Sequence, residues 1–128
     1  MVKLAFFLAG GYTATLLFFS LYKITPEFEV GGFSVTDKML HASAYLMLFV
    51  FWNLAFFLKS NTETSYKSTI VKISLACIFF GMLIEVLQGT LTSYRQADWW
   101  DVVANSTGVL IASFLFLAFE RPLKKVKN

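Results

Sequence analysis

The chain has 128 residues, 57% of them hydrophobic and 15% charged, with a net charge of +3; the mean hydropathy is +0.65. That composition excludes an ordinary soluble domain, because fifteen Phe in so short a chain leave more apolar surface than a small core can cover, whereas lipid tails accept it directly. It also argues against a nucleic-acid binder: the basic residues lie between apolar runs and in a short tail, where membrane orientation accounts for them.

Leu4 to Tyr22 carries no charge and, at about 1.5 Å rise per residue, comes close to the roughly 30 Å of a bilayer's hydrocarbon core. Lys3 ahead of an apolar stretch also suits a cleavable signal peptide, but the run is long for an h-region and no A-x-A-like site follows, so a retained span is expected. Met39 to Leu58 is the second run, with His41 and Asn53 as its strongly polar members. Ile73 to Tyr94 is the third, interrupted by Glu85 and Gln88, with Lys72 placed to snorkel to its near interface. Val102 to Phe119 is the fourth. Extended to their flanking helix signals, these predict helices over about 4–22, 37–58, 69–92 and 101–119.

The connections are short. Lys23 to Lys38 contains Pro26 and the Gly31-Gly32 pair as turn punctuation, Lys59 to Lys67 is polar, and Arg95 to Asp101 closes the third gap. No repeat or low-complexity segment appears, so residues 1–128 read as one all-α domain, a four-transmembrane-helix bundle. Cys77 is the single cysteine and lies in an apolar run, which predicts a small buried thiol and no internal disulfide.

Four spans put both termini on one side. That side carries Lys3, Lys59, Lys67, Lys72, Arg121, Lys124, Lys125 and Lys127, and the other carries Lys23, Lys38 and Arg95. Eight against three predicts cytoplasmic termini, with the first and third connections outside. Tyr94, Trp99 and Trp100 suit an outer aromatic belt.

The polar residues inside the apolar runs form a pattern. Asp37, His41 and Tyr45 fall at i, i+4 and i+8, on one helix face. Gly81, Glu85 and Gln88 share a face of the third helix, where the glycine admits a close neighbour. Asp101, Asn105, Gly108 and Ala112 give the fourth helix a face polar at its outer end and small further down. Each has a bland account: Thr36 or Asp37 as a helix cap, His41 as a satisfied core histidine, Glu85 as a protonated tie between helices, and Asp98 or Asp101 as a complement to the helix dipole. Jointly they are harder to dismiss. His41, Glu85, Gln88 and Asn105 all lie about one to two turns in from the same surface. A charge at the bilayer centre costs about 2.5 to 3.5 kcal/mol on insertion scales, so such groups are expected to face the bundle interior, with Arg95 above them pairing with Glu85, Asp98 or Asp101.

These residues, read as Asp37-Lys38-x2-His41-x3-Tyr45, Gly81-x3-Glu85-x2-Gln88 and Arg95-x2-Asp98-x2-Asp101-x3-Asn105-x2-Gly108, resemble the VanZ-like family. The resemblance runs from Thr36 to Ala112 and combines residue type, spacing and order over three spans. It departs at Ala42, where many relatives carry an aromatic, and at Ala112, where many carry a further glycine; both changes touch packing more than chemistry. What it implies is a bacterial cytoplasmic-membrane protein of the cell envelope. The family's namesake is associated with low-level resistance to the glycopeptide teicoplanin by a mechanism that is not established, and family membership does not assign resistance to this chain.

Three functional readings follow. The leading one is a non-enzymatic envelope protein whose outer cluster binds a polar lipid headgroup, a lipid-linked cell-wall precursor or a glycopeptide antibiotic, with Arg95 and Lys38 as donors and Glu85, Asp98 and Asp101 fixing their geometry. No recognised nucleophile motif is present. The second is a membrane-embedded enzyme on a lipid-linked substrate, with His41 and Glu85 as acid and base, around a metal held by His41, Glu85 and Asp98 or Asp101 in one version. A single histidine argues against a dedicated His-rich zinc site, and an Mg²⁺ or Mn²⁺ site would keep several waters. The third is a structural subunit packed on a membrane-protein partner or on a second copy of itself. The leading reading expects no cofactor, no metal and no nucleic-acid partner. Its functional cluster is Asp37, Lys38, His41, Tyr45, Glu85, Gln88, Arg95, Asp98, Asp101 and Asn105.

Overall fold

The structure is a computed structural model that describes residues 1–22, 29–30, 33–34, 37–60, 65–93 and 97–127. It is helical, as the apolar runs dictate: within lipid a backbone must satisfy its own N–H and C=O groups, and a helix does so inside one segment. Helix α1 runs Val2–Leu21, α2 Asp37–Lys59, α3 Tyr66–Leu91, α4 Trp99–Ala118 and α5 Glu120–Lys127. The first four are long and apolar enough to cross a membrane.

Span positions follow the hydropathy, and the differences lie at the ends. Helix α3 begins at Tyr66, earlier than the expected start near residue 69, and takes Lys67 and Lys72 into its first turns, where both are exposed. The short basic α5 lies beyond the expected fourth span. A two-residue antiparallel pair, Glu29–Val30 with Phe33–Ser34, occupies the first connection; the Gly31-Gly32 punctuation lies outside the described residues.

The helices alternate in direction. Helices α2 and α4 both begin at one end of the bundle, α3 ends there, and α1 runs antiparallel to α2. The core is built from Leu48 and Phe49 of α2, Ile70, Ile73 and Cys77 of α3, and Val109 and Ala112 of α4. Cys77 is buried and free. The tightest approach is α2 on α4 at Gly108: a Cβ added there would lie 2.0 Å from the Ala42 carbonyl oxygen, so only a glycine lets these two backbones touch.

Helix α1 is peripheral, with only Ala9 of its residues buried. Polar ties hold it to the bundle along its length: Tyr12 Oη donates to the Ala44 carbonyl at 2.8 Å, Trp52 Nε1 donates to Thr13 Oγ1 at 3.0 Å, and Gln88 Nε2 donates to the Ser20 carbonyl at 2.7 Å. At the end away from the polar cluster, Asn53 Nδ2 donates to Tyr66 Oη at 3.0 Å in buried surroundings. Phe7, Phe79 and Phe114 point outward, which lipid accommodates.

Candidate functional site

The parallel starts of α2 and α4, with the end of α3 between them, concentrate the chain's unusual residues at one end. Two helix N-termini there present free N–H groups and about half a positive charge each, which favours the acids found beside them. Asp98 caps α4, its Oδ1 accepting the Trp100 N–H at 2.9 Å. Glu85 reaches the same terminus from α3, its Oε2 accepting the Asp98 N–H at 3.0 Å. Asp37 and Asp101 occupy the first turns of α2 and α4.

Lys38 crosses from α2 to α4. Its ammonium pairs with Asp98 Oδ2 at 2.6 Å and with Asp101 Oδ1. The Asp98 carboxyl is held below its ordinary pKa first by the Lys38 hydrogen bond and then by the Trp100 N–H. Among the described residues Lys38 is the basic partner of these aspartates. Arg95 lies outside the described residues, as do Thr36 and Tyr94.

His41 lies one turn below. Its Nδ1 is 3.0 Å from Asn105 Oδ1; an amide oxygen only accepts, so Nδ1 donates, and in the neutral tautomer that this bond selects the lone pair is on Nε2. That Nε2 faces Asp101 Oδ2 at 3.5 Å and Asp37 Oδ2 at 3.7 Å, both beyond hydrogen-bond range.

Deeper still, Tyr45 and Asn105 meet at Gly81. A Cβ on that glycine would be 3.0 Å from the Tyr45 ring and 3.2 Å from Asn105 Nδ2, so the glycine makes room for both. Tyr45, Glu85 and Asn105 are buried. Tyr45 Oη, Glu85 Oε1 and Asn105 Nδ2 have no hydrogen-bond partner among the described residues.

Of the ten residues expected in the cluster, Asp37, Lys38, His41, Glu85, Asp98, Asp101 and Asn105 come together, with Tyr45 one turn deeper. Gln88 turns the other way, its side-chain amide N–H donating to α1, so it fastens the peripheral helix rather than the cluster. Trp99 and Trp100, 75% and 71% exposed, flank the cluster at the first turn of α4, where amphipathic rings suit the headgroup level of a membrane. The buried Asn53–Tyr66 pair was not among the candidates: Asn53 lies deep in the second run, away from His41, and nothing in its spacing marks Tyr66 as its partner.

Among the described residues the arrangement offers acceptors, one ammonium, one imidazole and three buried polar atoms without partners, next to exposed indoles. The fold and this polar end define an all-α bundle of four helices able to cross a membrane. Compared with family models, curated proteins and solved structures, the chain matches none.

Proposed function

We propose that the chain is a VanZ-like integral membrane protein of the bacterial cell envelope, with both termini cytoplasmic, that binds the polar head of a membrane-borne ligand at the outer end of its bundle. The ligand class is a lipid headgroup or a lipid-linked cell-wall precursor, and a glycopeptide antibiotic is the alternative occupant. One observation carries the reading: Tyr45 Oη, Glu85 Oε1 and Asn105 Nδ2, from three different helices, are buried without partners among the described residues. An unmet buried polar group costs about 1 to 3 kcal/mol, and among the described residues three of them gather here against one, Asn53 Oδ1, at the far end. A ligand or water reaching them would supply the missing bonds.

The exposed Trp99 and Trp100 support this, since amphipathic rings beside a site suit headgroup depth. The excess of Lys and Arg on the side bearing the termini supports the orientation. The resemblance across Asp37–Gly108 supports the envelope setting. In the alternative reading as an enzyme on a lipid-linked substrate, His41, with Nε2 free to take a proton, is the base.

The experiment is a titration of the full chain, reconstituted in nanodiscs of zwitterionic lipid, with a polyprenyl phosphate. Binding should saturate at one lipid per chain and weaken at least tenfold in Glu85→Gln and in Asn105→Leu, with helicity retained. Equal binding by wild type and both variants would remove the site from the account.

A further inference from the structure

We propose that Asp37 Oδ2, His41 Nε2 and Asp101 Oδ2 form a three-ligand site for a divalent transition-metal ion, with Zn²⁺ the best fit. It deepens the ligand-binding reading above, since the open coordination positions would receive an oxygen of the bound headgroup.

The geometry comes first. A bare imidazole nitrogen and two carboxylate oxygens converge, with their ligand atoms all within 4.8 Å of one another. With His41 neutral, three electron-rich atoms at that spacing repel, and a cation between them relieves the repulsion. The two His41 distances, 3.5 and 3.7 Å, are too long for hydrogen bonds. They are close to the roughly 3.4 Å that separates tetrahedral ligand atoms each about 2.1 Å from a metal. Asp37 is more than half exposed, which leaves its side chain room to close the remaining gap.

The supporting shell is in place. A metal-binding histidine typically donates its second N–H to a carboxylate or carbonyl that fixes the tautomer; here Nδ1–H donates to Asn105 Oδ1 at 3.0 Å, leaving Nε2 to ligate. Asp101 is divided in the same sense, Oδ1 toward the Lys38 ammonium and Oδ2 toward His41. Among the described residues Asp37, Asp98 and Asp101 face one ammonium, that of Lys38, so the acids outnumber it there.

A second observation is independent of the three ligand atoms. Glu85 is buried and within electrostatic reach of His41 and Asp101. Its Oε2 is taken by the Asp98 N–H, and its Oε1 has no partner among the described residues. That oxygen is suited to accept from a metal-bound water. One nitrogen and two carboxylates favour Zn²⁺ over Mg²⁺ or Ca²⁺, which prefer all-oxygen shells.

The test uses the full chain, purified in detergent, stripped with EDTA and titrated calorimetrically with ZnCl2, with metal content measured afterwards. One Zn²⁺ per chain is expected, with affinity falling at least tenfold in His41→Ala and in Asp37→Asn, unchanged in Glu120→Gln, and at least tenfold weaker for Mg²⁺. Asp37 is exposed, so its variant separates lost metal from lost fold, checked by helicity. No stoichiometric uptake by folded protein, or uptake untouched by both substitutions, overturns the site and marks any ion as adventitious. Repeating the polyprenyl phosphate titration in EDTA separates the two claims: lipid binding that persists in a chain taking up no zinc overturns the metal and spares the ligand site, while zinc binding without lipid binding does the reverse.

Discussion

Lys38 shows how one flexible side chain organises the polar end. It reaches two aspartates on another helix, and the consequence for pH follows from Asp98. Its carboxyl is held below the ordinary Asp value of about 3.9 in the folded chain, so the stabilisation it brings is complete above that value and is lost as pH falls through the lowered one. Asp98→Asn should therefore melt below wild type at pH 7, and the difference should shrink as the pH falls through the acid range; thermal unfolding in detergent across a pH series checks it. The effect is modest because both side chains are more than a third exposed. Glu85 acts differently. Glu85→Ala removes the acceptor for the Asp98 N–H at the start of α4, and should cost about 1 to 3 kcal/mol in unfolding free energy, whereas Glu85→Gln keeps an acceptor and should cost much less.

At the scale of elements, the contact between α2 and α4 sets the site, and Gly108 sets that contact. Gly108→Ala drives a methyl into the Ala42 carbonyl and should destabilise by at least the 1 to 3 kcal/mol typical of overpacking, about 3 or more here because backbone cannot rotate away. Gly10→Ala meets nothing within 4 Å and should leave stability unchanged or slightly raised; comparing the two variants by steric-trap or denaturant unfolding in one detergent makes the contrast. Helix existence was legible because uninterrupted apolar length is a direct physical requirement of a span. The shared faces were legible too, since i, i+4 spacing places Asp37 with His41 and Asp101 with Asn105 whatever the neighbours. Partner choice was not. Gln88 and Glu85 lie three residues apart on α3, yet one turns to α1 and the other to α4, and that choice depends on where α1 docks. Lys38 looked like a free donor because its long stem hides which acids it reaches. Helix α5 is too short for a periodic signal, and the start of α3 at Tyr66 was hidden by polar residues that the helix carries out of the apolar layer.

For the whole molecule, alternation of four helices collects the N-termini of α2 and α4 at one end and draws the acids there. The proposed orientation makes that end extracytoplasmic. A single cysteine introduced at Ser34, in the connection between α1 and α2, in a chain with Cys77→Ala, should react with an impermeant thiol reagent in intact cells; protection there, with labelling only after lysis, would invert the topology. The account's central claim is that the cluster at this end receives the polar head of a membrane-borne ligand. Photo-crosslinking in native membranes with a polyprenyl phosphate bearing its reactive group beside the phosphate, followed by peptide mapping, tests it most directly. Label is predicted on the first turns of α2 and α4, around Asp37–Tyr45 and Trp99–Asn105, and should be lost in His41→Ala. Label spread over the lipid-facing surface of α1, or unchanged by that substitution, would contradict it.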